Sequence, residues 1–490
     1  HLSYAETHFK FKLPSSFLFK KEPELLVDAP YQVLTNKHCP VFIISKDAHK
    51  FPHTVKEIRY HIQGPGQSIT KSIAINLFLD QALSLHKIPI EIPANPGSYQ
   101  VNIHLLYEDA RGKKKECINW NYSGIPSMPL IIQRLSHHLP WGQSWKAGEM
   151  HCHSSFTSDP IEFGAPIQAF HESAIANGLD FTCITDHSYN FQYDSTDYMR
   201  KIPTHKKWNA FQKELQKYSD DVALISGEEI SCGNSLKQNV HMLGFGMQNY
   251  VEGLGDGGRR WLNNKPTHSI AEAIERSPDA LHFAAHPKAR IGTLERLLIN
   301  RGIWSEKDIL PGLHGLQFWN GSRDSGYYKG RKFWIEQLLQ GKKLLPIGGN
   351  DAHGDLNRAV AINMPLISLK CHRAHIFGRV KSVVQSSTNQ IQDLKEGFLE
   401  QRMFCSDGPY LFMPNANVVE STSSNDFGKL TKLYCFRGYF SQKTEEHEVI
   451  ACDTMAYREE VDWKNADYLR WECITEKGFF ALSAPKWRTL

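Results

Sequence analysis

The sequence predicts an α/β protein in which a parallel sheet, closed into a barrel, is flanked by two β-rich modules. Three observations carry that expectation. Between residues 145 and 350, short apolar runs alternate with amphipathic helical stretches, the rhythm of strand–helix units and so of a parallel sheet. From Val55 to Trp120 the pattern is instead period-two alternation broken by Gly, Pro and Asn, and from Met403 similar runs return. At 490 residues the chain is also too long for one ordinary core. These shifts divide it into residues 1–138, 139–408 and 409–490.

In the N-terminal module the runs VKEIRYHIQ, SIAINLFLD and IPIEIPANPGSYQVNIHLLYED place apolar residues on one face of each strand, and their turn spacing suits a small β-sandwich. The basic run in EDARGKKKE, Arg111 to Lys115, lies between two such strands and reads as a solvated hairpin turn rather than a phosphate-binding patch. The stretch Gly124 to Trp141 leads out of the module. Seven buried strands follow: AGEMHCH, LDFTCIT, VALISGEEIS, VHMLGFG, ALHFAAHP, GLQFWNG and KLLPIGG. Helices fit between them at Pro166 to Ala176, His205 to Lys217, Ile270 to Glu275 and Tyr328 to Gln340, and seven strands favour a barrel over an open sheet. One more helix, in TNQIQDLKEGFLEQR, precedes the C-terminal runs KLYCFRGYF, EVIACDTM and YLRWECI.

Composition narrows the function classes. A hydrophobic content of 41%, an aromatic content of 11% and a net charge of +4 describe a folded protein with no call for nucleic acid. No run approaches the roughly 18 apolar residues of a membrane helix, so a soluble protein without a membrane span is expected. The chain starts at His1 rather than Met, which leans towards a removed leader and a periplasmic or secreted location, with a cytoplasmic one left open. Its 10 cysteines are scattered and form no framework.

The chemistry is concentrated in His, Asp and Glu residues at separate places along the strands. In HCH, His151 and His153 are two residues apart on a strand and share a face, while Cys152 points away. Further candidates sit where strands end: Asp186 and His187 after FTCIT, Glu229 in SGEEI, His286 in FAAHP, Asp351 and His353 after PIGG. His241, near a strand start, and Asp159 complete the set. Parallel barrels gather functional side chains at the carboxyl ends of their strands, so one rim would collect nearly all of them. These residue types bind borderline or hard divalent metals.

The series HxHxxxxxD, TDH, GxE, a lone His, AHP and DAH resembles the PHP family, named for polymerase and histidinol phosphatase domains, over about residues 147 to 355. The flanking β modules and the segments WNG, GGNDAH and DGP resemble its carbaryl-hydrolase-like branch. The resemblance implies a distorted seven-stranded (β/α)7 TIM-like barrel and a metal-dependent phosphoesterase. It also implies up to three divalent ions (Zn, Mn or Fe) in a trinuclear metal site. His151, His153, Asp351 and Glu229 would hold the first; Glu229 would bridge to a second held by His241 and His286; Asp159, His187 and His353 would hold the third. Where many members carry His, this chain has Asp159, a harder ligand that favours Mn or Fe over Zn. Glu228 competes with Glu229, and the GxE spacing favours Glu229.

Clustered metals suit ester hydrolysis, because they lower the pKa of bound water towards about 7 and hold attacking and leaving oxygens in line. A metal-bridging hydroxide is the expected nucleophile, and a small-molecule phosphate mono- or diester the expected substrate. Arg323, Lys288 and Arg358 are candidates to neutralise an anion and Asn320 to hydrogen-bond it; Asp186 could orient a ligand or shuttle the leaving-group proton. His268 is a further candidate. The glycines of Gly253 to Gly258 suggest a flexible loop, either a lid or a plain insertion. No GxSxG elbow supports a serine hydrolase. Hydrolysis of a carboxylic or carbamate ester at the same site, and a non-catalytic polymer- or partner-binding protein, are the alternatives.

Overall fold

Every second residue from Tyr99 to Tyr107 is apolar, and the strand Gly97–Asp109 buries that set, Tyr99, Val101, Ile103, Leu105 and Tyr107. The computed structural model describes residues 22–121, 127–136, 139–157, 164–194, 200–218, 222–257, 264–354, 356–363 and 368–488. Gly97–Asp109 pairs antiparallel with His53–Gly64, which pairs with Gln67–Leu79 across a turn where Gly66 adopts a φ of 69°. It also pairs with Lys114–Ile118, and the Asp109 carboxylate accepts from the backbone N–H of Arg111 and Lys113 in the turn between them, so the basic run is a hairpin turn as expected. A second sheet of Glu24–Asp28, Phe42–Lys46 and Leu83–Lys87 shares one core with the first, through Val27 and Ile43 against Ile58 and Ile103. This is the N-terminal β-sandwich.

The middle of the chain departs from the expected (β/α)7 barrel. The fold is mostly β, with 44% strand and 15% helix, too little helix for seven strand–helix repeats. Helices occur at Ile167–Asn177, Thr204–Leu215, Ile270–Glu275, Ser325–Leu338 and Ile391–Leu399, close to where the sequence places them, with Thr293–Ile299 in addition. The strands are the difference. Trp145–Cys152, Phe181–Ile184 and Ala223–Gly233 are parallel neighbours, as are Leu281–Ala285, Leu313–Asn320 and Leu345–Gly349. Asn239–Phe245 runs antiparallel to the strands on both its sides. Only the short segment 234–238 precedes it, and there the Asn234 side chain accepts from the N–H of Leu236 and Gln238 while Lys237 takes a φ of 58°. That is a hairpin turn, far shorter than the dozen or so residues a parallel crossover needs.

Nor is the sheet confined to residues 139–408. After Trp145–Cys152 the same ladder continues through Lys381–Gln385, Met403–Ser406, Phe480–Ser483, Tyr468–Thr475, Leu430–Tyr439 and Thr444–Thr454, and with Lys486–Trp487 also paired to Tyr468–Thr475 it makes a 14-stranded mixed sheet. Phe404, Tyr410 and Phe412 surround Trp145 edge-on, with ring centroids 4.5 to 5.6 Å away. Each such pair adds about 0.5–1.5 kcal/mol beyond area burial, so the C-terminal strands are joined to the central ones by packing as well as by hydrogen bonds.

The two ends of the central strand run also meet. Asp351 N–H donates to the His151 carbonyl at 2.7 Å, and Cys152 forms an isolated parallel bridge with Ala352. The segment that follows is fastened to the N-terminal sandwich. Buried Asn357 accepts from Ile131 N–H at 2.7 Å and donates to the carbonyls of Ile131 at 2.6 Å and Ala29 at 3.3 Å. Leu356 N–H donates to Asp28 Oδ2 at 3.1 Å, and Tyr31 N–H to the Leu356 carbonyl at 3.0 Å. An Asn side chain here does what a strand's backbone amide would do, and it ties the DAH segment to a sheet far away in sequence.

Candidate metal centre

His151 ends the strand Trp145–Cys152 on the face opposite Cys152, whose thiol turns to the Cys183 carbonyl. His153 follows one step beyond, its N–H held by the Ala352 carbonyl at 2.9 Å. The two Nε2 atoms come within 3.1 Å of each other, and Asp351 Oδ1 lies 3.3 Å from the first and 3.1 Å from the second. Glu229 completes the group from its own strand, Oε2 standing 3.4 Å from His151 Nε2, 3.3 Å from His153 Nε2 and 3.0 Å from His187 Nδ1. Its other oxygen, Oε1, meets His241 Nδ1 at 2.5 Å and His286 Nε2 at 3.0 Å. One fully buried carboxylate therefore has five imidazoles around it, divided between its two oxygens.

The imidazoles around Glu229 Oε2 are poorly aligned for hydrogen bonds to it, despite its burial. His151 Nε2 and His153 Nε2, 3.1 Å apart, can share one hydrogen at most; with a lone pair on each, the two nitrogens call for a cation between them. A divalent cation would take up both lone pairs and the buried Glu229 oxygen, and the donors, imidazole nitrogens with carboxylate oxygens, are the kind that Zn, Mn and Fe take. Among the described residues three groups have ligand atoms close enough to share an ion: His151, His153, Glu229 and Asp351; His187, Glu229 and His241; and His153, His187 and His353. The first is the expected set. In the last, His353 stacks on His153 with ring centroids 4.0 Å apart, and His187 lies 4.4 Å from His153. Asp159, expected beside His187 and His353, lies outside the described residues.

The electrostatics follow from carboxylates and imidazoles crowded into one buried place. Burial pushes the Glu229 carboxyl up, but His241, His151 and His187 outweigh it and hold the group well below the usual carboxylate range. Asp351 behaves alike: burial is outweighed by His151 and the hydrogen bond from His153. Of the touching imidazoles, burial together with His353 and His187 drives His153 well down. For His151, burial is overcome by the charges of Asp351 and Glu229, and its pKa rises. Beside these imidazoles both carboxylates are held as anions.

Two candidate ligand positions carry unusual backbone. His286 has a φ of 30° and Asp351 a φ of 54°, conformations costing on the order of 1–3 kcal/mol each for non-glycine residues. Gln317, which sequence reasoning missed, braces one of them: its Oε1 accepts from His286 N–H at 3.2 Å and lies 3.2 Å from His151 Nδ1. Gln317 Nε2 donates to Asn320 Oδ1 at 3.0 Å, and Asn320 Nδ2 donates to Asp351 Oδ2 at 3.0 Å. Asn320 thus acts on a candidate ligand. Glu149, also missed, is buried, its carboxyl pushed up by burial; it accepts from the N–H of His151, Asn350 and Gly378 and so locks the first and last central strands together.

His241 has a support of its own. Its Nε2 lies 2.7 Å from Asp256 Oδ2, Asp256 also takes Arg301 Nη1 at 2.7 Å, and the Ser231 hydroxyl donates to Asp256 Oδ1. Asp256 belongs to the glycine-rich stretch expected to be a flexible lid or insertion, and instead it is buried against the centre. The glycines there permit close packing: a Cβ at Gly253 would fall 2.5 Å from the Ser231 carbonyl, and one at Gly255 2.0 Å from Asn239 Oδ1. Gly258 lies outside the described residues.

The other candidates are engaged elsewhere. Asp186, pushed up by burial, accepts from Ser154 Oγ at 2.6 Å and from Thr157 N–H and Oγ1 at 3.0 and 2.7 Å, so it shapes the loop after HCH rather than facing the cluster. Arg323 donates to the Gly478 carbonyl at 2.8 Å and lies over Phe480; Lys288 donates to the Trp304 carbonyl at 2.5 Å and lies over Phe333. Arg358 stacks on Trp120. His268 contributes its carbonyl to Gly233 N–H. Glu228 points away from Glu229, accepting from Val251 N–H at 3.0 Å, with burial raising its carboxyl well above the usual range.

No helix among the described residues is long and apolar enough to cross a membrane. No protein-family model matches the chain, and no curated protein does. Among solved structures, a late embryogenesis abundant (LEA) protein overlays 25% of this chain and 76% of its own at 12% identity and a TM-score of 0.19. The cycloisomaltooligosaccharide glucanotransferase of a Paenibacillus species, complexed with cycloisomaltoheptaose, covers 95% of this chain and 71% of its own at 12% identity and a TM-score of 0.20. The β-D-mannosidase of Dictyoglomus thermophilum covers 95% and 66% at 9% identity and a TM-score of 0.21. Overlays this loose carry no argument about fold or site.

Proposed function

We propose that the chain is a metal-dependent hydrolase of phosphate mono- or diesters, related through its central segment to the PHP phosphoesterases. The observation that carries this reading is Glu229, with His151, His153 and His187 around one oxygen and His241 and His286 around the other. A carboxylate divided in this way suits two cations side by side. When bound, such a pair supplies Lewis acidity and a water made acidic enough to attack near neutral pH.

The chain's own residues supply the rest. Glu229 sets the spacing between the two halves of the centre. Asn320 holds Asp351 in place by the hydrogen bond to Oδ2, and Gln317 holds Asn320. Asp256, at His241 Nε2, fixes which nitrogen His241 turns towards Glu229, the role outer carboxylates have for ligating histidines. The eight described candidate ligands are buried or nearly so, which keeps bulk water from competing for the cations.

The test is to purify the full chain, count metal per chain by mass spectrometry, and assay nitrophenyl phosphate, its diester and an aryl carbamate with added Mn or Zn. Metal-dependent hydrolysis of a phosphate ester is expected. Metal well below about one ion per chain, with none of the three hydrolysed, refutes the proposal; hydrolysis of the carbamate alone redirects it to carbonyl esters.

A further inference from the structure

Arg301 touches the centre, unlike the cations the sequence offered for substrate binding. Its Nη2 lies 2.9 Å from His241 Nδ1, the nitrogen that meets Glu229 Oε1 at 2.5 Å. Arg323, Lys288 and Arg358 are occupied by Gly478, Trp304 and Trp120. Arg301 is anchored by Asp256 at 2.7 Å through Nη1, and its side chain keeps 16% of its surface exposed where Asp256 keeps 2%.

The pairing with His241 is chemically incomplete. One nitrogen of that imidazole is directed at Glu229 and the other at Asp256 Oδ2, 2.7 Å away. In the proposed loaded centre the neutral ring would direct its Nδ1 lone pair to the cation beside Glu229 and its Nε2 hydrogen to Asp256, leaving no lone pair for the guanidinium, whose Nη1 and Nη2 lie against Nε2 and Nδ1. Nη2 therefore brings N–H donors to the edge of the centre without an acceptor on His241. Charge points the same way. Taking imidazoles as neutral, Glu229, Asp351, Asp256 and Arg301 with two divalent cations leave a net charge of about +2, which favours an anion.

We propose that Arg301 is a substrate-binding residue that takes a non-bridging oxygen of a phosphate ester beside Glu229, and that Asp256 is the positioning residue holding it there. This rests on the metallohydrolase reading and narrows it: the substrate carries a negative charge on the group that is attacked, as monoester and diester phosphates do and carbamates do not. A planar guanidinium already fixed at Nη1 loses little freedom when Nη2 binds an oxyanion.

The test uses full-length protein loaded with Mn, with inorganic phosphate as the probe, titrated calorimetrically into wild type, Arg301→Lys and Arg301→Gln; metal per chain and melting temperature are measured on each. Metal content unchanged with phosphate affinity lowered roughly tenfold or more in Arg301→Gln, and less in Arg301→Lys, is the expected result. Affinity within about twofold of wild type in both variants overturns the proposal. So does loss of metal from both, which would make Arg301 a brace for His241. A wild type that takes no metal fails the metallohydrolase reading itself; a loaded, active wild type with indifferent variants fails only the assignment of Arg301.

Discussion

Replacing Asn357 with Ala should loosen the centre without touching a ligand. The side chain makes two short hydrogen bonds to Ile131, at 2.7 and 2.6 Å, and a longer one to Ala29 at 3.3 Å. A net contribution of about 0.5–1.5 kcal/mol each, with a further cost for leaving the Ile131 amide and carbonyl partly desolvated, gives a loss of roughly 2–3 kcal/mol. At about 2–4 °C per kcal/mol for a large cooperative unit, melting should fall by roughly 5–10 °C. Metal affinity should fall as well, by the order of 10- to 100-fold found when a residue that orients a ligand is removed, because Asp351 and His353 sit on the released segment. Asn357→Asp is the sharper variant: it has nearly the same shape, but sets a carboxylate oxygen against the Ile131 carbonyl and should lose more. Thermal melts and competitive metal titration with a fluorescent chelator read both effects. A melting temperature within about 1 °C of wild type, with unchanged affinity, would show that the sandwich does not hold the metal segment.

Three other outcomes are expected. Glu229→Gln should weaken metal binding by on the order of 100-fold, whereas Glu228→Gln, which keeps its acceptor for Val251 N–H, should leave metal content unchanged; equal losses in mass-spectrometric metal counts would mean the two neighbours are misassigned. Chelator treatment should lower the melting temperature, since metal at about 100 times its dissociation constant stabilises by about 2.7 kcal/mol, and identical scanning-fluorimetry curves with and without EDTA would exclude a tightly bound ion. Lys381 is buried and its pKa is lowered by burial from 10.5 to about 8, so between those values the unfolded chain binds a proton the folded one does not. Stability from this group therefore rises with pH over that window, and the penalty is full below about pH 8. Lys381→Met should accordingly be more stable than wild type in urea at pH 7, by an advantage that shrinks towards pH 10; an advantage equal at both pH values would contradict a charged, buried Lys381.

Much of the centre was legible because ligand identity is local. HCH on a strand, a Glu at alternating register and DAH after GG each declare a residue type and a face, and the fold has only to bring strand ends together. The barrel was misread because direction is not local. Asn239–Phe245 is buried along its whole length, so its apolar pattern is the same whether it runs parallel or antiparallel. The short, polar GNSLKQ was the available clue to a hairpin there. Asp256, Arg301 and Gln317 were invisible for a different reason: their partners lie on other elements, His241 being 60 residues from Arg301 and His151 166 from Gln317, and nothing in a single sequence pairs them.

The fastening of the DAH segment to the sandwich also bears on how the protein comes into being. Asp28 and Leu356 are 328 residues apart, and Ile131 and Asn357 are 226 apart. Closing loops of that length costs little more free energy than closing shorter ones, since each doubling adds only about 0.6 kcal/mol, but such contacts form slowly. During synthesis the sandwich can fold as soon as its own strands have emerged, while Asp351 and His353 cannot be held until a further two hundred residues or so have left the ribosome. The candidate ligand set is thus completed late, on a template that is already in place, and capture of a metal there would belong to the last stage of maturation rather than to the nucleation of the fold.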